Sequence, residues 1–150
     1  MKMMKCLKGR LDFKMKKVIH IEDNPEWQNN VGMALAKNRE IESFTYGSME
    51  EFRQANYPSA DLYVCDRHLP DKRGQNPNDD SWKRLLETIT CLHPGMNVPI
   101  VILSSHPPRD WGRYANVVDA VQKTPDTDDF DIGSFRELIE KHLCLDGGSK

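Results

Sequence analysis

Apolar residues fall into five short runs along the chain, at positions 17–21, 41–46, 62–65, 98–103 and 117–121, with longer amphipathic stretches between them. The first, third and fourth runs are almost continuously apolar, the pattern of strands covered on both faces. The stretches between carry helical spacing. Trp27, Val31, Ala34 and Leu35 recur every three or four residues behind Asn24-Pro25, a capping residue followed by proline at the first helical position. Ser48 with Glu51, and Ser134 with Glu137, match the capping box. After Ser134, the residues Phe135, Leu138, Ile139, His142 and Leu143 share one helix face, as core packing does. A polar loop over 74–81 precedes a predicted helix over 82–91. The connection between the fourth and fifth runs breaks the pattern. "SHPPRDW" opens it with two prolines, so any helix there should be short, displaced or irregular.

Strands alternating with helices predict a three-layer α/β domain around a parallel sheet. Ligands of such sheets bind outside the carboxyl ends of the strands, where the strand order reverses. At 150 residues the chain is long enough for one domain with its own core. That domain is placed at 16–145. Residues 1–15 read as a basic extension, disordered or lying upstream of a natural start at Met15, and 146–150 as a flexible tail.

Charge changes this picture little. The first 17 residues hold seven Lys or Arg and one Asp, while the whole chain has a net charge of −2. Such a basic end can meet nucleic acid or anionic lipid, but an incidental extension is the simpler reading, and no nucleic-acid or membrane partner is expected. No apolar stretch nears the ~20 residues of a membrane span, and the amino-terminal residues lack the apolar core and cleavage site of a secretory signal. A cytoplasmic location is expected. Cys6, Cys65, Cys91 and Cys144 form no Cys-x-x-Cys pair and read as free thiols.

The chemistry gathers at four strand ends. The first run ends in Glu22-Asp23, the third in Asp66, the fourth in Ser104-Ser105 and the fifth is followed by Lys123. Three carboxylates crowded at one edge raise one another's pKa unless a cation neutralises them. Oxygen-only ligands suit Mg²⁺, which also binds phosphate. A carboxylate nucleophile, a divalent metal, an ammonium and a hydroxyl together point to phosphoryl transfer. His20 reads as a core histidine, and His93 and His106 as loop residues.

In "VIHIEDN", "YVCDRHLPDKRG", "PIVILSS" and "VQKTP", in that order, the chain resembles the receiver domain of two-component response regulators. The resemblance implies a doubly wound, flavodoxin-like sheet of five parallel strands in the order 2-1-3-4-5. It also implies that Asp66 accepts a phosphoryl group from a phosphohistidine on a sensor histidine kinase or phosphotransfer protein. Glu22, Asp23, Asp66 and the backbone carbonyl of His68 would hold Mg²⁺. Ser104 would bond the phosphoryl oxygen and move with it, Lys123 would pair with the same group, and a downstream protein would read the change.

Three departures stand out. Thr124 separates Lys123 from Pro125, where the family has Lys-Pro. The aromatic residue that the family uses as a switch aligns with Ala120 or Val121, neither of which has a ring. His68 lies two residues past Asp66, either as an exposed loop side chain or as a tuner of phosphoryl lifetime. The leading expectation is a stand-alone receiver, not an enzyme beyond its own phosphotransfer and dephosphorylation. A degenerate receiver serving as a phosphorylation-independent interaction scaffold is the alternative. An aspartyl phosphatase of the haloacid dehalogenase kind would need a second Asp at position 68, which is His.

Overall fold

The computed structural model describes residues 15–70, 72 and 81–145. Residues 1–14 of the expected extension over 1–15, most of the polar loop over 74–81 and the tail over 146–150 lie outside the described residues. Five strands, β1 (Lys16–Ile21), β2 (Ile41–Tyr46), β3 (Leu62–Cys65), β4 (Ile100–Ser104) and β5 (Val117–Gln122), alternate with helices. All neighbouring pairs are parallel and the order is β2-β1-β3-β4-β5, as expected. The helices are α1 (Pro25–Ala36), α2 (Met49–Gln54), α3 (Ser81–Leu92) and α4 (Ile132–His142).

Two apolar layers sandwich the sheet. Trp27, Val31 and Leu35 of α1 and Phe135 and Ile139 of α4 pack with Val18, Leu62, Val64, Val101 and Leu103. On the other face, Phe52 of α2 and Leu85 and Ile89 of α3 pack with Ile19, Ile21, Tyr63, Cys65, Ile100 and Ile102. The alternation of Val18 and Ile19, or Val64 and Cys65, between the two layers is the period of two that a pleated strand imposes. It also explains why these runs are almost continuously apolar.

Local rules set most boundaries. Asn24 caps α1, its side chain accepting from the amides of Glu26 and Trp27. Ser48 Oγ accepts from Glu51 N at 3.1 Å, and the Glu51 carboxylate reaches back one residue beyond the cap, to Gly47 N at 2.9 Å. Two expectations need correction. β4 begins at Ile100 rather than Val98, because Pro99 has no N–H to give a ladder and contributes only its carbonyl, to Tyr63 N at 3.1 Å. The cap of α4 is Asp131, not Ser134: Asp131 accepts from Ser134 N at 2.9 Å and from Ser134 Oγ at 2.7 Å. The helix therefore starts a turn earlier, and Ser134 acts as donor to the cap.

As the two prolines imply, the connection from β4 to β5 holds one 3₁₀ turn, Trp111–Arg113, and no α-helix. Trp111 and Tyr114 from this segment pack on the face that α3 covers. Cys65 is buried, Cys91 and Cys144 are exposed, and all three are free thiols. Among the described residues no helix is long and apolar enough to cross a membrane.

Candidate functional site

Register builds the site. Ile21 pairs with Cys65 across β1 and β3, so Glu22 and Asp66 emerge side by side one residue later. Asp66 N donates to Ile21 O at 3.2 Å and Glu22 N to Tyr46 O at 2.9 Å, which fixes both backbones at the sheet edge. Ser104 pairs with Gln122 across β4 and β5, and Lys123 N then donates to Ser104 O at 2.9 Å. The residues expected at four strand ends are thus brought to one edge.

Their side chains meet. Lys123 Nζ lies 2.6 Å from Glu22 Oε1 and 3.0 Å from Asp66 Oδ2, with all three side chains at most 6% exposed. Asp66 Oδ1 accepts from His68 N at 3.1 Å, and Glu22 Oε2 from Asn24 N at 3.1 Å. Asp23 is half-buried beside them, and one carboxylate oxygen from each of Glu22, Asp23 and Asp66 falls within 4.8 Å of the others. Ser104 is buried, and its Oγ accepts from His106 N at 3.3 Å. The His68 and His106 rings stand edge to face, 5.9 Å apart, on the rim. His68 is half-buried rather than an exposed loop side chain.

The electrostatics ask for a cation. Burial, and then the Asp66 carboxylate, push Glu22 up to about 8 against the pull of Lys123. The ammonium itself is raised: burial lowers it, and Glu22 and Asp66 together more than reverse that. His20, inside β1, is held down to about 3 by burial first and by Lys123 second, so it stays neutral and adds no charge. Three acidic groups against one ammonium leave a balance that a bound cation would shift towards ionised Glu22. An oxygen-only donor set with that balance fits a hard divalent cation such as Mg²⁺.

Two neighbours of the site were legible only as core residues. His20 is 1% exposed, and neither ring nitrogen has a hydrogen-bond partner among the described residues. Its nearest carboxylate oxygen, Glu22 Oε1, is 4.0 Å away. The Trp27 ring lies under the Lys123 ammonium, with Nζ 5.3 Å from a ring centroid. A tryptophan three residues past the capping Asn24 signals a first helical turn facing the sheet, but not what that ring touches. Arg67 was also passed over; its guanidinium donates to His106 O at 2.9 Å and ties the β3 and β4 ends together.

No protein-family profile matches the chain, and no curated protein matches it in sequence. Solved structures do match. A CheY-like response regulator receiver domain protein from Methanospirillum hungatei JF-1 has a TM-score of 0.65 at 17% identity, over 87% of this chain and 94% of its own. The phosphorylated cyanobacterial phytochrome response regulator RcpA has a TM-score of 0.63 at 24% identity, covering 86% and 94%. The response regulator TrrA from Thermotoga maritima, solved in complex with Mg²⁺ and BeF, has a TM-score of 0.61 at 17% identity, covering 85% and 99%. With its strand order, its helices on both faces and these likenesses, the chain has the CheY-like fold of response regulator receiver domains.

Proposed function

We propose that this chain is a signalling phosphoacceptor: Asp66 takes a phosphoryl group from a phosphohistidine on a histidine kinase or phosphotransfer protein. A downstream protein then reads the altered surface. The observation that carries this reading is the placement of Asp66, a buried carboxylate at the end of β3, on Lys123 Nζ at 3.0 Å and within 4.8 Å of two further carboxylates. Receiver structures solved by others bind Mg²⁺ with BeF, or Mn²⁺.

Transfer needs positioning and charge neutralisation more than acid–base chemistry. An Asp66 carboxylate oxygen forms a bond to phosphorus as the bond to the donor breaks, and the donor leaves with that electron pair. When the donor is acetyl phosphate, acetate departs and the product is an acyl phosphate on Asp66, with no proton required. His68 N, bonded to Oδ1, orients the carboxylate. Lys123, already between Glu22 and Asp66, turns its charge to the incoming phosphoryl oxygens. Ser104, buried at the end of β4, supplies a hydroxyl to the same group. Glu22, Asp23, Asp66 and the His68 carbonyl would hold Mg²⁺, which when bound neutralises charge on the phosphoryl oxygens. The chain catalyses its own phosphotransfer and dephosphorylation and no further reaction. As a phosphoacceptor fed by a histidine kinase, the chain would work in the cytoplasm.

The irregular segment between β4 and β5 favours a second reading, a phosphorylation-independent interaction scaffold. Reduction with borohydride separates the two, because it converts an aspartyl phosphate to homoserine. After acetyl phosphate and Mg²⁺, peptide sequencing should find homoserine at position 66. Unmodified Asp66, in protein that remains folded, would support the scaffold.

A further inference from the structure

Lys123 faces a physical problem. Its ammonium sits at the end of a flexible four-carbon stem, and free rotation of that stem opposes any single placement. Proline does not follow it directly; Thr124 intervenes, and the Thr124 hydroxyl is spent on Asp126 O at 2.6 Å. Its anionic partners, Glu22 and Asp66, are themselves the groups whose charge changes when metal or phosphoryl arrives. The Trp27 ring, 5.3 Å from Nζ, is a contact that does not change charge.

The geometry points to Trp27 as a positioning residue for Lys123, holding the ammonium at the strand edge through its ring face. The ring is itself fixed. Trp27 is 6% exposed, its backbone is anchored by the Asn24 cap, and its ring meets Phe130 edge to face at 4.9 Å. One turn on, Asn30 donates to Thr127 O at 3.3 Å. Both contacts clip the segment that follows Lys123 onto α1. The same helix turn thus sets the path of the chain after Lys123 and supplies a face for its ammonium. An indole face attracts a partly desolvated ammonium more strongly than a benzene face does, and an aliphatic side chain offers no such attraction. The order Trp, Phe, Leu at position 27 therefore grades this contact while keeping an apolar side chain there.

The inference rests on the phosphoacceptor reading, so the experiment has one arm that needs no phosphorylation. In protein carrying ¹³C-lysine, the ε-methylene of Lys123 should resonate upfield of the other lysines because of the indole ring current. The signal is assigned by its loss in Lys123→Arg. It should move part of the way back in Trp27→Phe and fully in Trp27→Leu. In the second arm, the labelling rate with saturating acetyl phosphate and Mg²⁺ is compared well below the melting temperature of each variant. Trp27→Leu should label about fivefold more slowly than wild type and Trp27→Phe about twofold more slowly. An ordinary Lys123 shift in the wild type would overturn the inference. So would equal slowing in both variants, which marks loss of packing, or wild-type rates in Trp27→Leu. A Trp27-dependent shift in a wild type that takes no label would uphold the positioning and refute the phosphoacceptor.

Discussion

Replacing His20 by leucine should stabilise the fold, and increasingly so as the solution is made acid. His20 is 1% exposed and neither ring nitrogen finds a hydrogen-bond partner among the described residues. A buried polar group left without a partner costs about 1–3 kcal/mol, so the leucine chain should be more stable by about that much at pH 8. The pH dependence follows from the depressed pKa. His20 titrates near its ordinary 6.5 when unfolded and at about 3 when folded. Between those values the unfolded chain binds the extra proton, so stability falls as pH drops below 6.5 towards 3. At pH 5 this loss amounts to about 2 kcal/mol. Glu22 slopes the other way: its pKa is raised by burial first and Asp66 second, so its stabilisation is full below the ordinary 4.5 and is lost as pH rises through about 8. That slope is common to both chains and cancels in their difference. Urea unfolding followed by circular dichroism, at four pH values from 8 to 5, gives the difference curve. A gap that stays constant with pH, or a leucine chain less stable throughout, would refute the buried neutral histidine.

Mg²⁺ should raise the melting temperature of the wild type by relieving repulsion among Glu22, Asp23 and Asp66, and millimolar Mg²⁺ should do so much less in Asp23→Asn. An unchanged shift in that variant would place the metal elsewhere. Phosphorylation should signal through residues 106–116, since Ala120 and Val121 carry no ring to swing inward. With 5-fluorotryptophan in all three tryptophans, the Trp111 resonance should move on adding beryllofluoride and Mg²⁺. A stationary Trp111 signal with unaltered amide exchange over 106–116 would exclude that route.

The fold was readable because burial on both faces leaves β1, β3 and β4 almost continuously apolar, and because Asn24-Pro25 and Ser48 announce helix starts by backbone chemistry alone. The two prolines at 107 and 108 likewise bar a regular helix from running through them. Boundaries failed where two rules competed. Asp131 and Ser134 stand three residues apart and both can cap; the structure satisfies each by making one the acceptor and the other the donor. Pro99 sits inside an apolar run, and only the missing amide shows that the ladder starts after it. At the site, Glu22, Asp23, Asp66, Ser104 and Lys123 were legible because strand ends in a parallel sheet converge. Trp27 and His20 were legible only as apolar-face residues. Helical and strand periodicity says which way a side chain points, but not that Lys123, far along the chain and just past β5, will end over the Trp27 ring.

The central claim, that Asp66 is the acceptor, has a direct test in intact mass. Wild-type protein incubated with acetyl phosphate and Mg²⁺ should gain the mass of one phosphoryl group, and the gain should disappear when Mg²⁺ is chelated before the donor is added. Asp66→Asn, whose amide is a poor nucleophile of nearly the same shape, should gain nothing while keeping its far-ultraviolet dichroism. Equal labelling of Asp66→Asn and wild type would contradict the account.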